Sequence, residues 1–444
     1  MVDTGNRQSR TRQRLSETEP TVPQPLATEP EYALLLDAIA PLGPPWPELN
    51  NGSGPDPQPR PRTDHRAWDS GRWGRLLDIA DWHRLSPVLF THLRAVGGAP
   101  APVLSALERA YLANAARSMF IRATTATVVR ALDAAGVPSL LLKGAALVET
   151  VYDDPAEREM LDIDLLVPAD RLGDATATLA ELDYAPAPDP DADQHPIPGP
   201  TAVRIAPHQP IHDAALVGPE QLVAVELHRH IAIGGEEGGD FDLGGLWDRA
   251  RQVPATDHRV PSPEDLLIHI CFHFTRNRLG GSAGRRNTGG ALAQILDIQR
   301  VVANDAVDWD ELTHTARDFG LGTRVFLGLF AARELGVPIP AEAIEPIRPS
   351  GFDPQLGRRL VALRVLRAGD HLPVRSMRWM VAPSKEALRR GWNADSNATL
   401  SLARAYMRRA RAHVPEARSA MRRPWVYVQD RRLNTQIEAL RERA

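Results

Sequence analysis

The chain of 444 residues has room for about two or three domains, each large enough to bury its own core. A formal net charge of −4 and a pI of about 6.4 argue against a dedicated nucleic-acid binder or a binder of anionic membranes. The single cysteine, Cys271, excludes a disulfide framework and a cysteine-rich metal site, which favours a reducing cytoplasm. We find neither a signal peptide nor an apolar stretch long enough to span a membrane, and therefore expect a soluble, cytoplasmic protein without a membrane partner.

Composition and hydrophobic periodicity divide the chain into four regions, from a polar tail to a helical C-terminal part. The tail is rich in Thr, Glu, Gln and Pro and shows no periodicity, so we expect it to be disordered. In chain order we predict a disordered tail over residues 1–28, a helical region over 29–135, a β/α core over 136–250 and a helical domain over 251–444. The expected fold class is α+β, with a small mixed sheet flanked by helices.

The predicted helices follow apolar residues at helical spacing and end at glycine or proline signals. They are Tyr32–Ile39, three amphipathic segments between residues 76 and 112, Asn114–Ala135, Ala146–Tyr152, Ala169–Leu182, Glu264–Phe274, Ala291–Val302, Trp309–Phe319 and Thr323–Leu335. The predicted strands are Ser139–Leu142, Met160–Val167, Ala202–Ile205, Ile211–Val217 and Gln221–His228. Residues 185–200 contain too much proline for regular structure.

Two aspartates, Asp162 and Asp164, interrupt an otherwise apolar predicted strand. Side chains alternate along a strand, so both carboxylates lie on one face, opposite Leu161, Ile163 and Leu165. Burying an unpaired carboxylate costs roughly several kcal/mol, and two like charges repel each other, so the pair needs a compensating cation. A divalent metal is the simplest candidate. The alternative is that this face is a solvent-exposed edge of the sheet.

Four further polar residues are candidates for a functional site. Glu226 and His228 share one face of a later predicted strand, where Glu226 offers a third carboxylate. The alternatives are a surface acid for Glu226 and sheet packing for His228. His269 and His273 have the spacing of a zinc-binding pair, but they lack the H-E-x-x-H form and have apolar neighbours. We therefore interpret them as core or acceptor-pocket histidines.

The order of these features is informative: a strand, a glycine turn, a helix, an Asp-x-Asp strand, and then a strand bearing a glutamate. This order resembles the polymerase-β-like nucleotidyltransferase superfamily. Within it, roughly residues 70 to 410 resemble the bacterial "uncharacterised nucleotidyltransferase" family. The segments that carry the resemblance are Leu142–Leu147, Tyr152, Arg158–Val167, Val225–His228, Pro263–His269, Asp297 and Trp309.

The resemblance implies a nucleotidyltransferase core over residues 136–250 and a magnesium-dependent reaction. In that reaction a nucleoside monophosphate moves from a nucleoside triphosphate such as ATP to a hydroxyl of a small molecule or protein. Asp162, Asp164 and Glu226 would be the catalytic carboxylates and the ligands of Mg²⁺, with Mn²⁺ as an alternative ion. Glu226 or His228 would take the hydroxyl proton.

The remaining implied roles concern binding of the triphosphate. The expected nucleotide-binding residues are Lys143, Gly144, Ala145, Arg158 and His228. Gly144 would let the triphosphate approach the backbone at a helix N-terminus, and Lys143 and Arg158 would neutralise phosphate oxygens. The alternatives are a solvated turn for Lys143 and pairing with the acids of residues 153–157 for Arg158.

One departure keeps a second function open. Ala145 stands where many members of the superfamily have Gly or Ser, so a hydroxyl contact to phosphate is absent. The alternative function is an inactive nucleotide-binding or adaptor protein of a biosynthetic or toxin–antitoxin cluster. A metal phosphohydrolase would need more histidine and aspartate ligands than these strands offer. The identities of the triphosphate and acceptor, and the oligomeric state, are left open by the sequence.

Overall fold

A computed structural model of the chain describes residues 30–39, 63–186, 214–218, 223–231, 244–276 and 289–366. The predicted tail over residues 1–28, the predicted strand Ala202–Ile205 and most of the proline-rich segment lie outside these described residues. In the described part, helices surround a small mixed sheet of five strands, which confirms the predicted α+β class.

Among the described residues, four helices precede the sheet: α1 (Pro30–Ile39), α2 (Ser70–Trp82), α3 (Ser86–Val96) and α4 (Ala101–Ala134). The carboxylate of Asp69 caps α2 by accepting a hydrogen bond from the backbone N–H of Arg72. The prediction that a helix begins near Asn114 is wrong, because α4 is one helix of 34 residues. No glycine or proline interrupts residues 103–134, and Gly136, with a φ of +68°, follows its end.

The sheet consists of β1 (Leu140–Leu141), β2 (Asp162–Leu166), β3 (Ala185–Pro186), β4 (Ala214–Val217) and β5 (Ala224–His228), in the spatial order β1-β2-β5-β4-β3. Helix α5 (Lys143–Thr150) follows β1, and α6 (Leu172–Glu181) follows β2. Strands β2 and β5 are parallel, whereas the other neighbours are antiparallel. The first two residues of the segment predicted to be irregular form β3, where Pro186 is tolerated because the strand lies at the sheet edge.

The register between β2 and β5 determines which side chains meet. Asp164 pairs with Glu226, and Leu166 pairs with His228. The opposite face is packed into the core, where Ile163 and Leu165 are fully buried. Leu161 was expected on that buried face, but it precedes the first residue of β2 and is 49% exposed. The polar faces of β2 and β5 therefore lie side by side on the same side of the sheet.

The remaining elements are mostly helical. They are α7 (Gly244–Asp248), an unpredicted hairpin of β6 (Arg251–Gln252) and β7 (Arg259–Val260), α8 (Pro263–Phe274), α9 (Ala291–Asn304), α10 (Trp309–Asp318), α11 (Gly322–Glu334), α12 (Ala341–Ile344) and α13 (Pro354–Leu360). Every residue of α8 is buried, because α5, α9, α10 and α11 pack around it. Within the described ranges, no helix is long and apolar enough to cross a membrane.

A candidate active site on strands β2 and β5

Helix α5 begins at Lys143, at the position where the sequence predicted a turn. Lys143 has a φ of +48°, in the left-handed region that a residue with a Cβ rarely adopts. Just before it, the N–H of Leu142 donates a hydrogen bond of 2.9 Å to the carbonyl oxygen of Asp164. A strained backbone persists only where its surroundings fix it, and here it accompanies a side chain that reaches the carboxylate of Asp164.

Gly144 packs closely against the segment that enters β2. A Cβ at this position would lie 3.0 Å from Cγ and 3.3 Å from Sδ of Met160. Met160 is buried and stands two residues before Asp162. The next residue, Ala145, is also buried, in the first turn of α5. The missing side chain of Gly144 thus keeps the start of α5 close to the start of β2.

Asp164, Glu226 and His228 form a group whose possible ligand atoms lie within 4.8 Å of one another. Oδ1 of Asp164 accepts a hydrogen bond of 2.7 Å from Nε2 of His228 and forms an ion pair with Nζ of Lys143. Oε2 of Glu226 lies 3.7 Å from Nζ of Lys143 and 3.8 Å from Nε2 of His228. One ammonium therefore serves two carboxylates at once.

Asp162 lies on the same face of β2 but outside that group of three. Burial and the neighbouring charge of Asp164 raise the pKa of Asp162 to about 6, although Lys143 acts in the opposite direction. Burial also disfavours the ionised form of Asp164, but Lys143 and His228 outweigh it and hold the pKa of Asp164 well below its usual range. Negative charge accumulates on this face, and a further cation would relieve the repulsion at Asp162.

Arg158 is held by a different partner from the ones expected. Its Nε and Nη2 donate to Oδ1 and Oδ2 of Asp297 on α9, at 2.7 and 2.9 Å. The hydroxyl of Tyr152 donates to Oδ1 of the same carboxylate at 2.8 Å. The alternative of pairing with the acids of residues 153–157 is therefore wrong. The phosphate contact predicted for Arg158 stays a prediction, and Nε and Nη2 of its guanidinium are already bonded to Asp297.

His269 and His273 lie on α8, near enough for the charge of Lys143 to act on both, with ring centroids 4.6 Å apart. The carbonyl oxygen of Ile231 can only accept a hydrogen bond, so Nδ1 of His269 donates to it, at 2.6 Å. Burial, with Lys143 adding to it, lowers the pKa of His269 to about 3 and that of His273 well below its usual value. Both rings are therefore neutral at pH 7. Neither belongs to the group of Asp164, Glu226 and His228 among the described residues.

The sequence did contain a signal for the partner of Arg158. Asp297 interrupts an apolar face of α9, between Leu296 and Ile298, and all three residues are buried. A buried carboxylate needs a cation or hydrogen-bond donors, so this position predicts a partner. The identity of that partner was not readable, because Arg158 is 139 residues away along the chain.

Comparison with known proteins gives one family. No curated protein and no solved structure shows significant similarity to the chain. The family described as uncharacterised nucleotidyltransferase matches residues 69–336, which is more than half of the chain. The matched span contains the start of α5, both central strands and Asp297. The chain therefore belongs to this uncharacterised nucleotidyltransferase family, as the resemblance of its motifs indicated.

Proposed function

We propose that this protein transfers a nucleoside monophosphate from a nucleoside triphosphate to a hydroxyl of a small molecule or protein, with Mg²⁺ or Mn²⁺ as the cofactor. One observation supports this most strongly. In the sheet of a nucleotidyltransferase family member, Asp164 and Glu226 are register partners, and their carboxylates lie beside the first residue of α5. The carboxylates of β2 and β5 therefore lie next to the N-terminus of α5. A reaction on a phosphate needs both, the carboxylates to hold a metal ion and the helix N-terminus to bind the phosphate.

The donor set of this face fits a hard divalent cation. Two carboxylates and one imidazole lie within 4.8 Å, and the half-buried Asp162 adds a third carboxylate nearby. The three carboxylates would be the ligands, because oxygen-rich sets of this size suit Mg²⁺ and also Mn²⁺. Nζ of Lys143 and Nε2 of His228 both contact Oδ1 of Asp164. When bound, such an ion offsets the negative charge that develops on the reacting phosphate.

The triphosphate is bound at the start of α5. The first N–H groups of a helix have no intrahelical acceptors and favour anions. Lys143, the first residue of α5, adds a full positive charge, because Asp164 and Glu226 overcome the effect of burial and raise the pKa of its ammonium. Gly144 keeps this turn narrow against Met160.

Glu226 is the residue best placed to take the proton of the acceptor hydroxyl. Its side chain is partly exposed, whereas Asp164 and His228 are buried. His228 donates its Nε2 hydrogen to Asp164, which assigns it to orienting that carboxylate. The hydroxyl oxygen attacks the α-phosphorus, pyrophosphate leaves, and the hydroxyl proton passes to Glu226.

Transfer from labelled triphosphates tests this proposal. We expect the purified protein with Mg²⁺ or Mn²⁺ to transfer label from at least one of the α-³²P-labelled ATP, GTP, CTP and UTP to a component of a cell extract. Asp164→Asn should lower the rate by about 10²–10³-fold, as loss of a group that stabilises developing charge does. The matched control is Asp174→Asn, on the exposed face of α6, which should leave the rate unchanged. Intact triphosphates in every reaction, or equal rates with Asp164→Asn, would refute the proposal.

Ala145 supports the second candidate, a nucleotide-binding adaptor without turnover. It offers no hydroxyl to a phosphate in the first turn of α5. For such a protein, a triphosphate with Mg²⁺ would raise the melting temperature of the wild type but not of Asp164→Asn, and no label would be transferred.

A further inference from the structure

The candidate metal ligands already have a cation. Nζ of Lys143 forms an ion pair with Oδ1 of Asp164 and lies 3.7 Å from Oε2 of Glu226. Asp164 and Glu226 are two of the three carboxylates, with Asp162, that would hold a divalent ion. A second positive charge a few ångströms from an ammonium is repelled by it. The ammonium of Lys143 and a metal ion therefore compete for the same carboxylates.

We propose, on the basis of the function proposed above, that Lys143 is an exchangeable counter-cation. Its ammonium pairs with Asp164 and Glu226 until a metal ion and a triphosphate bind. When a divalent ion arrives together with a triphosphate, the ammonium leaves the carboxylates and binds phosphate oxygens instead.

The nature of the ion pair between Lys143 and Asp164 is consistent with an exchange of partners by the ammonium. A lysine ammonium is a point charge on a flexible stem, without the fixed fork of a guanidinium. The side chain of Lys143 is 24% exposed, whereas that of Asp164 is 3% exposed, so the lysine reaches the carboxylate from the solvent side. Breaking this contact moves one side chain and requires no repacking of the core.

The position of Lys143 in the chain supports the proposed move of its ammonium to the triphosphate. Lys143 is the first residue of α5, the helix whose N-terminus would bind the triphosphate. A rotation of its side chain about a fixed backbone therefore moves the ammonium between carboxylate and phosphate. Arg158, whose charge also acts on Asp162, does not have this freedom, because Asp297 holds it by two hydrogen bonds.

Exchange couples the two ligands. A divalent ion alone must displace the ammonium from Asp164 and gives it no new partner. An ion that arrives with a triphosphate supplies the phosphate oxygens as that partner. The two ligands then strengthen each other's binding by the same factor, as thermodynamic linkage requires.

Binding of Mn²⁺ alone, followed by the electron paramagnetic resonance signal of the free ion, tests the first half of the proposal. We expect Lys143→Met to bind Mn²⁺ at least about tenfold more tightly than the wild type, which corresponds to about 1.4 kcal/mol. Lys143→Arg retains the charge and should bind Mn²⁺ as weakly as the wild type. The double variant Lys143→Met/Asp164→Asn should lose the gain, because the tight site includes Asp164.

Inorganic tripolyphosphate, which has no base, tests the second half. In the presence of Mn²⁺, we expect the wild type to bind it at least about tenfold more tightly than Lys143→Met, which has lost the phosphate-binding charge. Circular dichroism checks that each variant is folded. Lys143→Gln retains a hydrogen-bond donor for the buried carboxylates, and the same changes are expected in it if Lys143→Met does not fold.

Three outcomes would overturn the exchange. They are equal or weaker Mn²⁺ binding by the folded neutral variants, a gain that persists after Asp164→Asn, and tripolyphosphate binding that is unaffected by loss of Lys143. These measurements need no turnover. Normal label transfer with unchanged Mn²⁺ binding refutes the exchange alone, whereas the expected binding changes without label transfer refute the proposed activity alone.

Discussion

Two cation–carboxylate pairs lie next to β2, and they are built in opposite ways. Arg158 and Asp297 form a closed pair, in which both oxygens of the carboxylate are used and Tyr152 donates to one of them. Lys143 and Asp164 form an open pair, in which the lysine contacts one oxygen and lies near a second carboxylate, Glu226.

This difference indicates different roles for the two pairs: the closed pair positions β2, and the open pair is available for ligand binding. The closed pair joins α9 to the segment that enters β2, so it fixes where the strand bearing Asp162 and Asp164 begins. In the open pair one ammonium contacts two carboxylates, and the lysine side chain is partly exposed to solvent. The closed pair uses both oxygens of its carboxylate within the protein, whereas the open pair lies where a ligand can reach it from solvent.

Breaking the closed pair has the largest expected effect. Asp297→Asn leaves the buried guanidinium of Arg158 without an anion, and removing one partner of a buried pair costs about 3–5 kcal/mol. We expect a loss of this size in the free energy of unfolding, measured by urea denaturation at neutral pH.

The control for Asp297→Asn is an exposed arginine–carboxylate pair, Arg171 with Asp174, in which Nε of Arg171 donates to Oδ2 of Asp174. The two side chains are 35% and 60% exposed, so Asp174→Asn should cost less than about 1 kcal/mol. Equal losses of stability in Asp297→Asn and Asp174→Asn would show that the closed pair does not hold α9 to the start of β2.

The two buried histidines of α8, His269 and His273, give a pH-dependent prediction. Burial lowers the pKa of His269 to about 3 and that of His273 well below its usual value, whereas an unfolded histidine titrates near pH 6.5. Below about pH 6.5 the unfolded state binds more protons than the folded state. Stability is therefore full above that pH and falls as the pH decreases, by up to about 1.4 kcal/mol per pH unit for each histidine.

Urea denaturation between about pH 5 and pH 7 measures this slope. His273→Gln should have a shallower dependence on pH than the wild type. The control His314→Gln changes an exposed histidine of α10 and should leave the slope unchanged. An unaltered slope in His273→Gln would mean that these rings do not resist protonation in the folded protein.

The parts of the site that depend on local pattern were predictable from the sequence. Alternation along a strand placed Asp162 with Asp164 and Glu226 with His228, and the apolar residues around the aspartates indicated a buried strand. The α+β class followed from the same patterns, because apolar periodicity distinguishes helices from strands.

The parts that depend on distant contacts were not predictable. The register of Asp164 with Glu226 depends on which strands are neighbours, and no local pattern encodes that order. The turn expected at Lys143 is the first turn of a helix. The left-handed φ of Lys143 was not predictable either, because its residue type disfavours that conformation. Leu161 was expected to be buried but precedes the strand, where neighbouring elements decide its exposure.

The smallest expected effect concerns Gly144. This residue follows Lys143 of the open pair and contacts Met160, two residues after Arg158 of the closed pair. Gly144→Ala places a Cβ 3.0 Å from Cγ of the buried Met160, and crowding of this kind costs about 1 kcal/mol or slightly more. Because the clash is with one side chain, Met160→Ala should remove it, and a double-mutant cycle on the free energy of unfolding should show coupling between the two positions. If Gly144 serves only to admit the triphosphate, Gly144→Ala instead raises KM at unchanged stability, and Met160→Ala does not restore it.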